Sequence, residues 1–255
     1  MKARLIVYCS IFLLLLACDN SEKYDIGTYQ HVNSQFVAHP FSTNKTIAGK
    51  DSFYVYFSRG NVYSPNTHDL CIHDLQYEYS PTQRDLFLYE SSSMNSDIFL
   101  SYPNETDILC NWRLLTIQEW EHIIYNRNNA NKLRGLAIVN TIHGYVLLPD
   151  DWSCPKGLSF VSIPNSWYKN IYSAQQWQQM EKQGAVFLPC AGYMDGNRCR
   201  YPEEFGYYWL QKHQNDITNF FFFGINFIDQ SFIETTYPDA RESVSMSLRL
   251  VRPKQ

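Results

Sequence analysis

Apolar residues recur at helical spacing behind a capping signal in two places along the chain. At Thr116-Ile117-Gln118-Glu119 the Thr116 hydroxyl can accept from the Glu119 amide while the Glu119 carboxylate reaches back to the Thr116 amide, which is a capping box. Leu115 and Trp120 occupy the hydrophobic-staple positions, and Trp120, Ile123 and Ile124 make one apolar face. The same logic returns at Ser173 and Gln176, with Tyr172 and Trp177 as the staple and Gly184 placed to end the helix. Each helix leads into an apolar strand-like run, at residues 144–148 and 185–188. Upstream, residues 52–58 form an aromatic and β-branched run that stops at the turn Arg59-Gly60-Asn61, and residues 70–79 form a second, less regular one. Beyond Gly206 the pattern turns to strands: 207–210, 220–227, 231–237 and 243–251. In the last, Val244, Met246, Leu248 and Leu250 alternate with Ser243, Ser245, Ser247 and Arg249, which predicts one face buried and one solvated. The consecutive Phe220 to Phe223 predict a central strand covered on both faces, and Trp112, Trp120, Trp152, Trp177 and Trp209 are expected in the core. Two short helices early and a meander late define an α+β domain.

The first residues change the picture from a folded domain to an exported one. Lys2 and Arg4 precede an apolar run at 5–16 that is too short to span a bilayer but fits a secretory signal. The run ends Leu15-Leu16-Ala17-Cys18, which resembles the bacterial lipobox, so residues 1–17 are expected to be a signal peptide and Cys18 the lipidated N-terminus, a membrane anchor. The polar stretch that follows, with Glu22 and Asp25, is expected to be a tether over 18–47, and residues 48–255 one domain without repeats or linkers. This places the protein in the cell envelope, as an outer-membrane lipoprotein that is periplasmic or surface-exposed. Removing residues 1–17 takes away Lys2 and Arg4 and no acid, so the formal charge of -4 becomes about -6. With no basic block or arginine-rich arm, nucleic acid is not an expected partner. An aromatic fraction of 16% favours an aromatic core or a contact surface for sugars or proteins.

Cys71, Cys110, Cys154, Cys190 and Cys199 are left for the mature fold, an odd number, so in an oxidising compartment one thiol stays over. Cys190 and Cys199 flank a turn-rich loop, and a local disulfide between them is the first expectation. His68-Asp69-Leu70-Cys71-Ile72-His73 gathers metal-ligand types, but on a strand His68 faces away from residues 69, 71 and 73, so no metal is assigned. Asp150-Asp151 is expected to serve a turn and not a calcium loop. The chain holds no Gly-x-Ser-x-Gly, His-Glu-x-x-His or phosphate-binding glycine loop, and no cofactor is expected.

Five blocks in one order resemble bacterial C-type-lectin-like domains of the Fibrobacter succinogenes major paralogous domain type, found in many Bacteroidetes lipoproteins. They are Trp112-Arg113-Leu114-Leu115-Thr116-Ile117-Gln118-Glu119-Trp120-Glu121, the run from Leu147 to Trp152, the run from Val186 to Tyr193, Gly206-Tyr207-Tyr208-Trp209, and the terminal Ser247-Leu248-Arg249-Leu250-Val251-Arg252. The resemblance covers most of 50–252 and implies a C-type-lectin-like fold: two short helices, a small antiparallel sheet and long loops. Leu115, Leu210 and Cys190 depart from the family's usual residues.

A non-catalytic role is expected, with a glycan or protein ligand meeting the loops between Gly192 and Thr236. Tyr193, Arg198, Arg200, Tyr201, Gln211, Lys212, His213, Asn215 and Asp216 are the candidate contacts, because they are polar or amphipathic and lie in turn-prone sequence. Two alternatives stand beside this. Formylglycine-generating oxidases share the helix motif, although this chain lacks their closing segment; and the chain can instead be a structural subunit of a surface assembly or fimbria.

Overall fold

In the computed structural model, which describes residues 39–43, 54–65, 71–88, 112–163, 166–211, 219–225, 232–238 and 243–254, both capping boxes are closed. Helix α1 (Ile117–Glu121) starts at Thr116, whose Oγ1 accepts the Glu119 amide at 3.2 Å while Glu119 Oε2 accepts the Thr116 amide at 2.9 Å. The structure adds Arg113, which forks onto the same carboxylate at 2.6 and 2.7 Å. Burial by itself raises the Glu119 pKa, but the Arg113 fork and the Thr116 donors outweigh it and hold the carboxyl below its usual range. After one turn α1 passes into a π-helical turn at His122–Asn126, which buries Ile123 and Ile124. Helix α2 (Ala174–Lys182) begins at Ser173 with the matching box, and the staple is direct: the rings of Tyr172 and Trp177 are 5.9 Å apart. Gly184 closes it at φ +86, where a Cβ would lie 2.4 Å from that of His39.

The strands, in chain order, are β1 (Phe41–Ser42), β2 (Tyr54–Phe57), β3 (Val62–Tyr63), β4 (Cys71–Ile72) and β5 (Phe87–Leu88) before α1. Between the helices come β6 (Arg134–Val139), β7 (Ile142–Leu147) and β8 (Ile171–Tyr172). After α2 come β9 (Val186–Pro189), β10 (Tyr193–Asp195), β11 (Arg198–Arg200) and β12 (Phe205–Trp209), then β13 (Asn219–Ile225), β14 (Phe232–Pro238), β15 (Val244–Met246) and β16 (Val251–Pro253). They form small sheets in the orders β1-β2-β16, β11-β10-β15-β5, β12-β13-β14, β3-β4 and β8-β6-β7-β9. Among the described residues, every pairing between these strands is antiparallel except β6 with β8, and two isolated bridges, Gly192 to Gly206 and Tyr208 to Ser247, are parallel. The molecule is therefore mixed α+β, mostly strand, with two short helices.

The terminal segment differs from its expected form. Residues 243–251 do not make one half-solvated strand: β15 joins the β10 sheet, β16 joins β2, and 244–251 are buried throughout. Alternation survives, but both faces are covered. Val244, Met246, Leu248 and Leu250 pack with Trp112 and Trp209. On the other side Arg249, 2% exposed, donates to Asn61 Oδ1 at 3.2 Å, to the Arg59 carbonyl at 2.7 Å and to Gln76 Oε1 at 3.1 Å. β7 contains most of the strand-like run expected at 144–148, whereas β6, and with it the β6–β7 hairpin, had no sequence expectation. The hairpin turns on Asn140 and Thr141, both at positive φ, a two-residue turn made without glycine.

The tether boundary also shifts. Phe41 is fully buried, edge-on to Phe57 at 5.0 Å, and β1 extends the β2 sheet, so residues 41–42, expected in the tether, belong to the fold. Asp150 and Asp151 hold this strap down: Asp150 Oδ2 accepts the Ser42 amide at 2.9 Å, and Asp151 meets His39 Nδ1 at 3.0 Å. Trp112, Trp120, Trp177 and Trp209 are core residues, as expected, while Trp152 packs half-buried at the margin. β13 is the central strand of its sheet. Phe221 and Phe223 face the core beside Trp120 and Tyr145, whereas Phe220 and Phe222 are only half-buried on the opposite face, so cover on that side is partial.

Candidate ligand-binding face

Across β10 and β11 the register pairs Tyr193 with Arg200, Met194 with Cys199 and Asp195 with Arg198. Side chains in a strand alternate, so one face of this hairpin carries Met194 and Cys199 and the other carries Tyr193, Asp195, Arg198 and Arg200. The first pair is directed inward, against Leu86, Ala191 and Tyr79. The second set lies on the opposite face, where Asp195 and Arg198 are exposed while Tyr193 packs in part against the cluster of Trp112, Trp209 and Val244. The two-residue turn Gly196-Asn197 makes this possible, Gly196 taking φ +60 at its first position. Arg200 and Asp195 form a loose ion pair at 3.8 Å, with side chains 37% and 51% exposed.

Tyr201 continues this face. It is 49% exposed and held at φ +53, an unusual backbone for a residue with a Cβ, and Glu203 follows at φ +64. Conformations of this kind persist only where the surroundings impose them. Here Glu203 imposes them. Its amide donates to the Cys190 carbonyl at 2.7 Å, its carboxylate accepts the His143 amide at 3.1 Å and the Tyr79 hydroxyl, and its carbonyl lies 2.9 Å from His143 Nδ1. Burial, and then the bond to Glu203, push the Tyr79 pKa upward, so its hydroxyl stays protonated and donating. Gly192 lets the chain ends approach: at φ +70, its Cβ would fall 2.1 Å from the Arg200 carbonyl.

Rings extend the surface from the hairpin onto the sheet. Tyr193 lies 6.1 Å from Tyr201 and 4.9 Å, edge-on, from Tyr207; Phe205 is 5.8 Å from Tyr201; and Tyr207 lies parallel to Phe222 at 5.6 Å. Tyr193, Phe205, Tyr207 and Phe222 are half-buried. Burial raises the Tyr207 pKa, and so do neighbouring charges including that of Glu204.

Of the expected contacts, Tyr193, Arg198, Arg200 and Tyr201 come together. Gln211 does not join them. It follows the far end of β12, roughly 20 Å along the strand from Phe205 at about 3.3 Å per residue, and its amide donates to the Leu115 carbonyl at 2.8 Å, beside α1. Thr236, the expected edge of the region, also serves the helix, donating to Glu121 Oε1 at 3.2 Å. Lys212, His213, Asn215 and Asp216 lie outside the described residues, as does Cys18. Asp195, Tyr207 and Phe222 were missed. The pattern Tyr-Met-Asp-Gly-Asn-Arg held the signal for Asp195, because placing a two-residue turn at Gly196-Asn197 fixes which neighbours are co-facial.

Cys190 and Cys199 are both free thiols, and they occupy different environments. Cys190 precedes the hairpin and lies fully buried in the main core, where burial raises its pKa well above the usual thiol range. Cys199 sits opposite Met194, with Sγ 3.7 Å from the Ala191 carbonyl. A thiol protonated and enclosed in this way is a poor nucleophile and a poor metal ligand. His68 and Asp69 lie outside the described residues, while His73 is engaged, stacked on Tyr63 at 4.2 Å and bonded through Nε2 to Asp85 at 2.7 Å.

The fold and site define a mixed α+β domain that presents an aromatic and charged face on a β-hairpin. No family model, curated protein or solved structure matches the chain.

Proposed function

We propose that the protein is an exported, lipid-anchored binding module of the C-type-lectin-like class, without catalytic activity, that receives a glycan or protein ligand on the outward face of the β10–β11 hairpin. The observation that carries the binding reading is the co-facial set Tyr193, Asp195, Arg198 and Arg200, continued by the exposed ring of Tyr201. Tyrosine and arginine bring much contact area and many donors at small entropic cost, which is why binding surfaces favour them. The lectin-like assignment is supported by two capped helices ahead of a terminal antiparallel meander, and by the structural work of the motif arginines. Arg113 and Glu119, from the first block, form one fork, and Arg249, from the last, locks the interior. The anchor reading rests on the apolar run before Cys18.

A screen of the detergent-solubilised full-length protein against arrayed glycans and envelope proteins tests the reading. Tyr201→Ala and Arg198→Ala are expected to weaken the ligand so found by about tenfold or more each, ~1.4 kcal/mol. A ligand indifferent to both substitutions refutes the assignment of this face.

A further inference from the structure

From Trp152 to Met180 the chain has two lysines, Lys156 and Lys169, and no aspartate or glutamate, although acids outnumber bases in the sequence as a whole. The same stretch carries the two most exposed large hydrophobic side chains among the described residues, Tyr168 at 73% and Ile171 at 58%, and with them the exposed Val161. The fold draws these together. Strand β8 lies at the edge of its sheet, and its alternation turns Tyr172 into the core and Ile171 outward. The buried Asn170 grips the Val161 backbone: its Oδ1 accepts the Val161 amide and its Nδ2 donates to the Val161 carbonyl, both at 2.8 Å. The Tyr172 hydroxyl donates to the Ser159 carbonyl at 2.6 Å. Residues 159–161 are thus bound along 170–172, and buried groups fix an apolar patch that is flanked by the exposed Lys156 and Lys169.

The acids that approach from neighbouring elements each meet a donor of their own. Trp167 stacks on His143, and beyond it Glu203 accepts the His143 amide and the Tyr79 hydroxyl. The Arg134 carbonyl accepts the Ile163 amide, and the Arg134 guanidinium holds Glu234. Asp150 pairs with Arg127, and Asp151 with His39. The sign of the patch itself is therefore set by its lysines.

The chain that leads from Cys18 enters the fold beside this patch. His39 meets Asp151 at 3.0 Å, one residue before Trp152, and Trp152 packs with Leu158 and Phe160 on the cluster beneath. Residues 19–38 span at most about 70 Å even when fully extended. An anchored domain therefore meets its own bilayer at a roughly millimolar effective concentration, an advantage that no soluble partner shares. Tyrosine and aliphatic side chains suit the headgroup region, and lysine stems reach across apolar surface to place their charge on anionic phosphates.

We infer that the patch of Lys156, Val161, Tyr168, Lys169 and Ile171 rests on the anionic phospholipid surface that holds the lipid anchor. This rests on the anchored reading above and adds which face the domain turns to the bilayer.

Amide exchange of the full-length lipidated protein tests it, in vesicles of phosphatidylcholine with about a third phosphatidylglycerol. Residues 153–162 are read in the wild type and in a variant carrying Tyr168→Ser and Lys169→Glu, both outside the segment read. The wild type is expected to exchange about fivefold more slowly, the protection of a domain docked about 80% of the time. Most of that protection should go on pure phosphatidylcholine, and in about 1 M salt, where the screening length falls to ~3 Å. Lys156→Glu, read at 166–171, should act in the same way, which separates a lost lipid contact from a disturbed Asn170 clamp. All three changes are on the surface, so the thermal melt should not move. Equal exchange in wild type and variants, or equal protection on neutral vesicles, overturns the inference. Protection that rises with the protein-to-lipid ratio also overturns it, and marks a second copy as the occupant. Flotation with the vesicles in high salt reads the anchor separately. A chain that floats with 153–162 unprotected keeps the anchor and loses the docking; one that sinks in high salt yet is protected by anionic vesicles in low salt loses the anchor and keeps the docking.

Discussion

Burial of charge separates what single residues revealed from what they hid. Glu119 was legible as a cap because its partner is three residues away, but the Arg113 fork was not, since nothing local announces which arginine turns inward. Arg249 was less legible still. It sits where a solvated strand face is expected, and only the fold brings Asn61 and Gln76 from far upstream to receive it. Burial pulls its pKa down to about 10, which still leaves it charged at neutral pH. Glu119 gives the clearest pH prediction. Its folded pKa lies below its unfolded one, so the stabilisation it contributes is fully present above about 4.5 and is lost as pH falls through the folded value. Glu119→Gln should therefore lower the melting temperature at pH 7 and lose most of that deficit once the pH has fallen through the folded value. A deficit constant across the acid limb, seen by circular dichroism, would show that the carboxylate's charge is not what stabilises the fold.

At the level of elements, local signals translated well and non-local ones poorly. Both helices were legible because a capping box and staple close within about six residues. β6 was invisible because it is an interior strand with neighbours on both sides, and its Asn140-Thr141 turn carries none of the glycine that marks such turns. The division of 243–251 between two sheets was equally hidden, because alternation records the pleat and not what covers each face. The end of α2 offers a test of how the N-terminal strap is tied in. Gly184→Ala combines a left-handed backbone with a Cβ pressed on His39, and should cost about 2–3 kcal/mol in chemical denaturation. Proteolysis of the segment before β2 should speed up with it. A cost under ~0.5 kcal/mol, the size of an ordinary surface change, contradicts the packing of the strap on this turn.

For the molecule as a whole, the class α+β followed from the order of helical and strand-like stretches, and half of the candidate site followed from turn-prone chemistry. The other half needed the sheet register. Tyr193 and Arg200 are seven residues apart yet directly paired, while Gln211, close to Tyr207 in sequence, is drawn to α1 instead. The proposed anchoring is the molecular-scale claim with the simplest test. Cys18→Ser should abolish incorporation of a labelled fatty acid and move the protein from the membrane to the soluble fraction, whereas unchanged labelling would place the lipid elsewhere or nowhere. The central claim is that ligand meets the outward face of the β10–β11 hairpin. Backbone amide shifts of the isotope-labelled protein, followed while its ligand is titrated in, test this most directly. The largest changes are expected at 193–201 and 205–207; changes confined to α2 or to 150–163, with the hairpin silent, would contradict it.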